Sequence, residues 1–175
     1  VFSINKLNIY YLKEFFNQYI VIDGRLNIIK DKDRTFVIDF AHTPDGILKV
    51  LKLFSEYNND IISVCGCGGN RDKSKREIIG NILSNYSKYS IFTSDNPRDE
   101  NPLDIINDMM KDVNDNVFVE VDREKAIRKA YYMSNKGDFI LLLGKGNEKK
   151  QILSDRIIEI SDFQILSDLL GDINE

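Results

Sequence analysis

The sequence predicts an α/β fold in which helices cover both faces of a mostly parallel sheet, giving three layers. Two observations support this prediction. Short β-rich runs alternate along the chain with longer segments whose apolar residues recur at helical spacing. The most apolar of the short runs, Phe139–Leu143, contains no polar residue, as is typical of a strand covered on both faces. Strands and helices that alternate in this way form parallel sheets.

The first predicted element is an amphipathic helix that ends near Tyr19, because large apolar residues recur at helical spacing up to that point. Gly24-Arg25 then lies between two short apolar runs, and a polar surface turn follows them. These segments are residues 20–22, 26–29 and 30–33.

A strand over residues 36–38 ends at Asp39, and a helix follows it. Thr43 is placed to cap this helix and Pro44 to occupy its first position, where a missing N–H costs nothing. The predicted apolar face of the helix contains Ile47, Leu48, Leu51 and Phe54.

The same unit of strand and helix recurs to the end of the chain. Further strands are predicted at residues 61–64, 90–92, 117–119 and 139–143. Further helices are predicted at about 74–86, from Asn101-Pro102 onward, after the N-cap Asp122, and at about 162–170.

The composition is that of an ordinary globular domain. The chain has 175 residues, 28 acidic and 24 basic, and a net charge of −4. This length suits one domain. No apolar run approaches the length of a membrane span, and no basic segment precedes an apolar one at the start of the chain, so we expect neither membrane insertion nor a signal peptide. The mixed charges favour neither nucleic acid nor an anionic membrane as a partner.

The two cysteines, Cys65 and Cys67, are one residue apart. A disulfide over so short a spacing is strained, so we expect reduced thiols and a cytoplasmic location. Two thiols and one distant histidine do not complete a tetrahedral zinc site, so the prediction is small buried residues at a strand end and no metal.

Four polar or glycine-rich clusters each follow directly after a predicted strand. They are residues 39–43, 66–73, 94–98 and 144–148. In open α/β sheets, ligands bind beyond the carboxyl ends of the strands. The sequence therefore predicts a ligand site built from these four loops.

Each cluster has a functional and a purely structural interpretation. The glycines of 66–69 allow positive φ and close backbone approach for anion binding, or form only a tight turn. Arg71, in the same loop, suits a carboxylate. Pro97 holds Asp95 and Arg98 in a set relation that suits an amino acid, the alternative being a turn with an exposed ion pair. Cluster 144–148 either binds a ligand or is a flexible turn.

In order and spacing, the four clusters resemble the motifs of the C-terminal domain of Mur ligases, a Rossmann-like domain. The resemblance runs from Gly24-Arg25 to the helix start at Ser161-Asp162, which is nearly the whole chain. Any one motif is weak, but four in order are highly specific.

The resemblance implies an ATP-dependent amide ligase of peptidoglycan synthesis, with ATP and Mg²⁺ as cofactors. ATP phosphorylates the glutamate carboxylate of UDP-N-acetylmuramoyl-L-alanyl-D-glutamate, and the amine of the added amino acid attacks the acyl phosphate. The Asp-Asn-Pro-Arg form at 95–98 implies that this amino acid is meso-diaminopimelate, whose second carboxylate suits a bidentate arginine.

The resemblance also assigns residues to roles. Those implied for diaminopimelate are Arg71, Asp95, Asn96, Pro97, Arg98, Gly144 and Glu148. Those implied for the nucleotide are Arg25, Asp39 and His42, the only histidine. A purely structural role for His42 is the alternative that stays open. No catalytic residue and no metal ligand is expected within this chain.

The chain departs from the family pattern at Asn147, Phe40 and Asn27, where histidine, tyrosine and glutamate are usual. No GxxxxGK[ST] phosphate loop occurs in the sequence, and in the family this loop belongs to the central ATPase domain. We therefore expect residues 1–19 to be a linker helix from that domain and residues 20–175 to be the C-terminal domain, inactive by itself.

Three other functions stay open at this point. One is a relative that adds lysine or another amino acid, against which the Asp-Asn-Pro-Arg form argues. Another is a nucleotide- or amino-acid-binding module without catalysis. A dinucleotide-dependent oxidoreductase is the third, and the GxGxxG fingerprint that it needs is missing.

Overall fold

Strands with alternating or wholly apolar patterns form one central sheet in this computed structural model, which describes residues 23–31, 33–57 and 59–174. The sheet has six strands in the order β1-β2-β6-β3-β4-β5. They are β1 (Asn27–Asp31), β2 (Arg34–Asp39), β3 (Ile61–Cys65), β4 (Tyr89–Phe92), β5 (Val117–Val119) and β6 (Phe139–Leu143). Only the pair β1–β2 is antiparallel in this sheet, so the described residues confirm the predicted mostly parallel arrangement.

Helices cover both faces of the sheet. They are α1 (Pro44–Ser55), α2 (Ser74–Tyr86), α3 (Pro102–Met109), α4 (Arg123–Met133) and α5 (Asp162–Asn174). Successive side chains of a strand point to opposite faces. Val37 accordingly packs in the cluster with α1, α2 and α3, while Phe36 and Ile38 pack in the cluster with α4 and α5. The three-layer α/β fold class is confirmed.

Three of the predicted helix starts are confirmed by their caps. Thr43 Oγ1 accepts a hydrogen bond from the backbone N–H of Gly46 at 3.2 Å. Asn101 and Asp122 cap α3 and α4 in the same way. These side chains satisfy N–H groups that have no partner within the helix.

The register of the parallel strands brings their carboxyl ends level with one another. Leu143 of β6 lies opposite both Asp39 of β2 and Cys65 of β3, and Cys65 in turn lies opposite Phe92 of β4. The loops after β2, β6, β3 and β4 therefore emerge side by side at one edge of the sheet.

Several details differ from the sequence prediction. β1 continues through Lys30 and Asp31, which the polar pattern assigned to a turn, because both residues pair with β2. On α1, Val50 is buried and Leu48 is only half-buried. A two-stranded ribbon, β7 (Lys150–Ile152) and β8 (Ile157–Glu159), was not predicted.

The predicted linker helix at residues 1–19 and the apolar run 20–22 lie outside the described residues. Within the described part of the chain, none of the helices combines the length and the apolar character needed to cross a membrane.

Candidate functional site

The loops at the carboxyl edge of the sheet enclose a cavity of about 250 Å³. Six of the seven residues predicted for the amino acid line it, namely Arg71, Asp95, Asn96, Arg98, Gly144 and Glu148. The seventh, Pro97, is buried beside Gly69, whose missing Cβ would lie 1.8 Å from the Pro97 carbonyl oxygen. The structure thus brings together side chains from three loops that are distant in sequence.

Arg98 has a left-handed backbone, with φ at 52°. Its backbone N–H donates to the Ile152 carbonyl at 3.0 Å, so the unpredicted ribbon supports this turn. Its Nη1 donates to the carbonyls of Gly69 at 2.9 Å and Asn96 at 3.2 Å. The other N–H groups of this guanidinium have no partner among the described residues, which leaves half of the fork for a ligand carboxylate.

Asn96 and Glu148 form the polar side of the cavity. Asn96 Nδ2 donates to Glu148 Oε2 at 2.9 Å, and Asn96 Oδ1 accepts from the Ile152 N–H at 3.0 Å. Lys145 has no exposed surface, and its Nζ donates to the Lys150 carbonyl at 2.8 Å and to Glu148 Oε2 at 3.3 Å. These contacts fix the orientation of the Glu148 carboxylate, whose free oxygen suits an ammonium group.

Asp95 is 9% exposed and lies under the cavity. Burial raises the pKa of this carboxyl, because water is removed from around the charged form, while nearby Arg123 and Lys145 act in the opposite direction. Gly144 faces it, with φ at 103° and only 3.1 Å between an ideal Cβ and Asp95 Oδ2. Glycine at 144 therefore allows this turn and leaves room for the carboxylate.

Arg98 donates to the carbonyls of Gly69 and Asn96 rather than to Asp95. The exposed ion pair between Asp95 and Arg98, which was the structural alternative from the sequence, is therefore not formed.

The glycines after β3 serve close approach rather than positive φ. A Cβ on Gly66 would lie 2.2 Å from the Thr93 carbonyl oxygen. The left-handed residue of this loop is Asn70, with φ at 53°. Gly69 N–H donates to the Asn96 carbonyl at 2.8 Å and is therefore not available to an anion. Arg71 follows Asn70, is exposed, and lines the cavity.

Among the residues predicted for the nucleotide, His42 lines the cavity and Arg25 lies close to it. The Arg25 guanidinium lies 4.6 Å from the centre of the Phe40 ring, and the Phe40 and His42 rings are 4.9 Å apart. Asp39 is buried instead, and its two carboxylate oxygens accept backbone N–H groups of Leu26 at 2.9 Å and Ala41 at 2.7 Å. Asp39 thus holds the turn that carries Arg25.

The cavity is also lined by Phe40, Gly66, Cys67 and Gly68, which lie in the predicted loops without an assigned role in binding the amino acid or the nucleotide, and by Lys75, which lies outside those loops. Lys75 is the informative one, because its Nζ donates to the His42 carbonyl at 3.3 Å and so bridges two loops. Its position in the first turn of the helix after a glycine-rich loop was the signal in the sequence.

Burial raises the pKa of the Cys67 thiol to about 12, so this thiol stays protonated at neutral pH.

Both cysteines are free and buried, as predicted. No group of three His, Cys, Asp or Glu side chains suited to a metal ion occurs in the described ranges. A larger groove of about 600 Å³ lies along α5, but its lining is mainly apolar and contains none of the predicted site residues.

Comparison with known proteins identifies the family of the chain. The family model described as "Mur ligase, glutamate ligase domain" matches residues 24–146. A curated relative from Clostridium perfringens, named UDP-N-acetylmuramoyl-L-alanyl-D-glutamate–2,6-diaminopimelate ligase, is 48% identical over 158 residues, which cover 86% of this chain and 32% of the relative. A relative of the same name from Aquifex aeolicus is 41% identical over 153 residues, covering 86% of this chain and 32% of the relative.

A solved structure of a ligase of that name superposes with a TM-score of 0.83 at 31% identity, covering 97% of this chain and 36% of that chain. The MurF ligase of Thermotoga maritima, solved in complex with ADP, has a TM-score of 0.58 at 14% identity, covering 95% of this chain and 34% of that chain. The second likeness shows the fold alone. The chain spans about a third of the length of the curated relatives described above.

Proposed function

The chain belongs to the Mur ligase family, and we propose that it is the amino-acid-binding C-terminal domain of an ATP-dependent ligase that adds meso-diaminopimelate to UDP-N-acetylmuramoyl-L-alanyl-D-glutamate. The observation that carries the proposal is the cavity in which Asn96, Arg98 and Glu148 meet. The cavity combines the Arg98 guanidinium, of which only Nη1 has partners among the described residues, with the carboxylates of Asp95 and Glu148. Such a site matches the ammonium and carboxylate of an amino acid.

The chemistry of the added amino acid explains how the site would work. Meso-diaminopimelate has an ammonium and a carboxylate at each end. In this proposal one ammonium binds between Asp95 and Glu148, and the adjacent carboxylate binds the free half of the Arg98 fork. The amine at the other end then attacks the acyl carbon of the acyl phosphate. The amide bond forms as the acyl C–O bond breaks, inorganic phosphate leaves with that electron pair, and the proton lost by the amine passes to the released phosphate or to water. Lysine has only one carboxylate. When its α-amine is the attacking group, only its side-chain ammonium reaches this end of the site, so the Arg98 fork would stay unpaired.

No side chain of this domain needs to exchange a proton or form a covalent bond in this scheme. The acyl phosphate supplies the activation, and the domain holds the amine in position for attack. Orientation of this kind contributes on the order of 7–11 kcal/mol to lowering a barrier. Lys75, at the same cavity, adds positive charge where the negatively charged acyl phosphate arrives, and Arg71 suits the second carboxylate of the amino acid.

Nucleotide binding is part of the proposal. Arg25, Phe40 and His42 form a cationic and aromatic surface beside the cavity that suits a nucleotide. Mg²⁺ does not fit the described residues as an all-protein site, because they offer no cluster of three ligands. We assign Mg²⁺ to the parts of the ligase that bind the phosphates of ATP.

Residues 1–19 would then be the linker from a central ATPase domain, and residues 20–175 the domain itself. A cytoplasmic location is proposed because the substrates are nucleotides and the two thiols are free.

A substitution and a competing ligand test the proposal together. In an NMR titration of this chain, meso-diaminopimelate should shift the signals of Asn96, Arg98 and Glu148, and L-lysine should bind about tenfold or more weakly. Arg98→Lys keeps the charge but lacks the fork, so it should abolish most of this preference. Equal binding of L-lysine, or an unchanged affinity in Arg98→Lys, would overturn the assignment.

Activity is tested by placing this chain in the Clostridium perfringens relative in place of its matching third. Release of phosphate from ATP should then depend on meso-diaminopimelate. In this chimera Arg98→Lys should raise KM for the amino acid and leave KM for ATP unchanged. A rise in KM for ATP alone would contradict the assigned role of Arg98.

A further inference from the structure

Glu100 lies just outside the Asp-Asn-Pro-Arg segment and collects donors from another loop. Its Oε1 accepts from Arg76 Nη2 at 2.9 Å and from the Asn70 backbone N–H at 2.6 Å. Its Oε2 accepts from Arg76 Nη1 at 3.0 Å and pairs with Lys73 Nζ at 2.9 Å. One carboxylate thus joins the loop after β4 to the loop after β3 and to α2.

Arg76 is the buried member of this cluster. Its side chain is 1% exposed, which is unusual for an arginine that is not tightly paired. Besides Glu100, it donates to the Gly68 carbonyl at 3.3 Å and to Asp108 on α3 at 3.1 Å. A bidentate pair of this kind has a defined geometry, unlike a single contact to a lysine.

The residues that these contacts join lie beside the two arginines of the cavity, at most two positions away in sequence. Asn70 precedes Arg71, and Asp99-Glu100 follows Arg98. Asn70 Nδ2 also donates to Asp99 Oδ2 at 2.6 Å. Both loops therefore touch each other beside their arginines, at two separate points.

Each of the two loops also contains a residue in an unfavourable backbone conformation. Asn70 and Arg98 have φ values of 53° and 52°, in the left-handed region that side chains other than glycine rarely adopt. Such conformations persist only where surrounding contacts hold them. Here the contacts are the hydrogen bond from the Asn70 N–H to Glu100 and those from Arg98 to the ribbon and to Gly69.

We propose that Glu100, held by Arg76, is a positioning residue that fixes the guanidinium groups of Arg71 and Arg98 relative to each other for the carboxylates of the bound amino acid. This inference rests on the proposed function. Neither Glu100 nor Arg76 touches the amino acid, so their effect on binding passes through the two loops. A cluster that served stability alone would change the unfolding free energy and leave the arginines where they are.

Glu100→Gln is the direct test, because it keeps the shape of the side chain but turns an amide N–H₂ towards Arg76 and Lys73. In an NMR titration of this chain, it should raise the Kd for meso-diaminopimelate about tenfold. It should also shift the side-chain Nε signals of Arg71 and Arg98 before any ligand is added. The backbone signals of Gly144 and Glu148, on the far loop, should stay in place.

Asp108→Asn is the matched control. It removes the other acidic partner of the same guanidinium, but Asp108 lies on α3 and does not join the two loops. It should leave the Kd within about twofold of the wild type even if it lowers stability, since Asp108 contacts Arg76 from α3 and does not hold either arginine-bearing loop. Arg76→Lys provides a second test if Glu100→Gln does not fold, because it keeps the charge and loses the bidentate contact. It should weaken binding as Glu100→Gln does.

The outcomes separate the inference from the function on which it rests. If Arg98→Ala binds meso-diaminopimelate like the wild type, the proposed function fails. If Arg98→Ala weakens binding but Glu100→Gln and Arg76→Lys do not, only the positioning role fails. If Asp108→Asn weakens binding as much as Glu100→Gln does, the cluster acts through stability and the inference is overturned.

Discussion

Asn96 and Glu148 are 52 residues apart in sequence and meet in the cavity, where the side-chain amide of Asn96 donates to the Glu148 carboxylate at 2.9 Å. The contact joins the loop after β4 to the loop after β6. The other end of the Asn96 amide accepts from Ile152, so both ends of this side chain are held by hydrogen bonds. The relative position of the two loops therefore depends on an amide at position 96, which a carboxylate cannot replace.

Asn96→Asp should lower the free energy of unfolding by about 1–3 kcal/mol, because it removes the donor to Glu148 and places two carboxylates against each other. Urea unfolding at neutral pH measures the loss. Asn107→Asp on the exposed face of α3 is the control and should stay within about 0.5 kcal/mol of the wild type. Equal effects of the two substitutions would show that the contact carries no stability.

Lys145→Met should destabilise the protein by about 1–3 kcal/mol, because it leaves the Lys150 carbonyl without its donor and Glu148 without its buried cation. The double variant with Glu148→Gln should lose less than the two single losses added together. Coupling between contacting residues is typically about 0.5–3 kcal/mol in such cycles. Strict additivity would mean that the pair does not interact in solution.

The fully buried pair of Arg123 and Asp162 joins the first turns of α4 and α5 through two contacts of 2.7 Å. Asp162→Asn should cost about 3–5 kcal/mol, because it leaves a buried guanidinium without a counter-charge. Replacing both partners, as in Arg123→Met with Asp162→Leu, should cost clearly less than the single substitution. Thermal and urea unfolding measure both losses. If the pair itself were the source of stability, the double variant would lose more stability than Asp162→Asn does.

Gly80 and Gly171 both lie in helices, but Gly80 is tightly packed and Gly171 faces open space. A Cβ on Gly80 of α2 would lie 1.9 Å from the Met109 carbonyl oxygen, whereas a Cβ on Gly171 of α5 meets nothing within 4 Å. Gly80→Ala should destabilise by about 1–3 kcal/mol through overpacking. Gly171→Ala should be neutral or stabilise by up to about 1 kcal/mol, because alanine favours the helix. A destabilising Gly171→Ala would contradict the open surroundings of that residue.

Glu100 should make stability depend on pH in the acidic range. Hydrogen bonds from Arg76, then Lys73 and the Asn70 backbone, hold the pKa of Glu100 at about 2, below its ordinary value of 4.5. Because the folded state lowers this pKa, the stabilisation is complete above about pH 4.5 and is lost as the pH falls towards 2. The difference in unfolding free energy between the wild type and Glu100→Gln should therefore shrink over this interval. A difference that stays constant from pH 6 to about pH 2 would contradict the ionised contact.

Much of the fold was open to prediction because its signals are local. Thr43, Asn101 and Asp122 cap helices through neighbours two or three residues away, and the wholly apolar Phe139–Leu143 proved to be a central buried strand. The ribbon β7–β8 was missed because its strands are short and mostly exposed, so they show no apolar pattern.

The candidate site was predictable in part. The residue types after each strand indicated a ligand edge, and the structure brings Arg71, Arg98 and Glu148 to one cavity. The role of Asp39 was not predictable, because a carboxylate at a strand end serves a ligand or a turn equally well, and only the position of Leu26 shows the turn. The burial of Arg76 was not predictable either, because its partner Glu100 lies in a different loop.

By itself, the amino-acid sequence determined the order along the chain of the helices and of the main strands of the central sheet, where most of these elements start, and the chemical groups that follow each strand. These features depend on neighbours within one or two turns. Which of those groups face a ligand and which face one another was decided only by tertiary structure. The reason is that burial, as at Arg76 and Lys145, depends on partners such as Glu100 and the Lys150 carbonyl, which the packing of separate loops brings within hydrogen-bond distance.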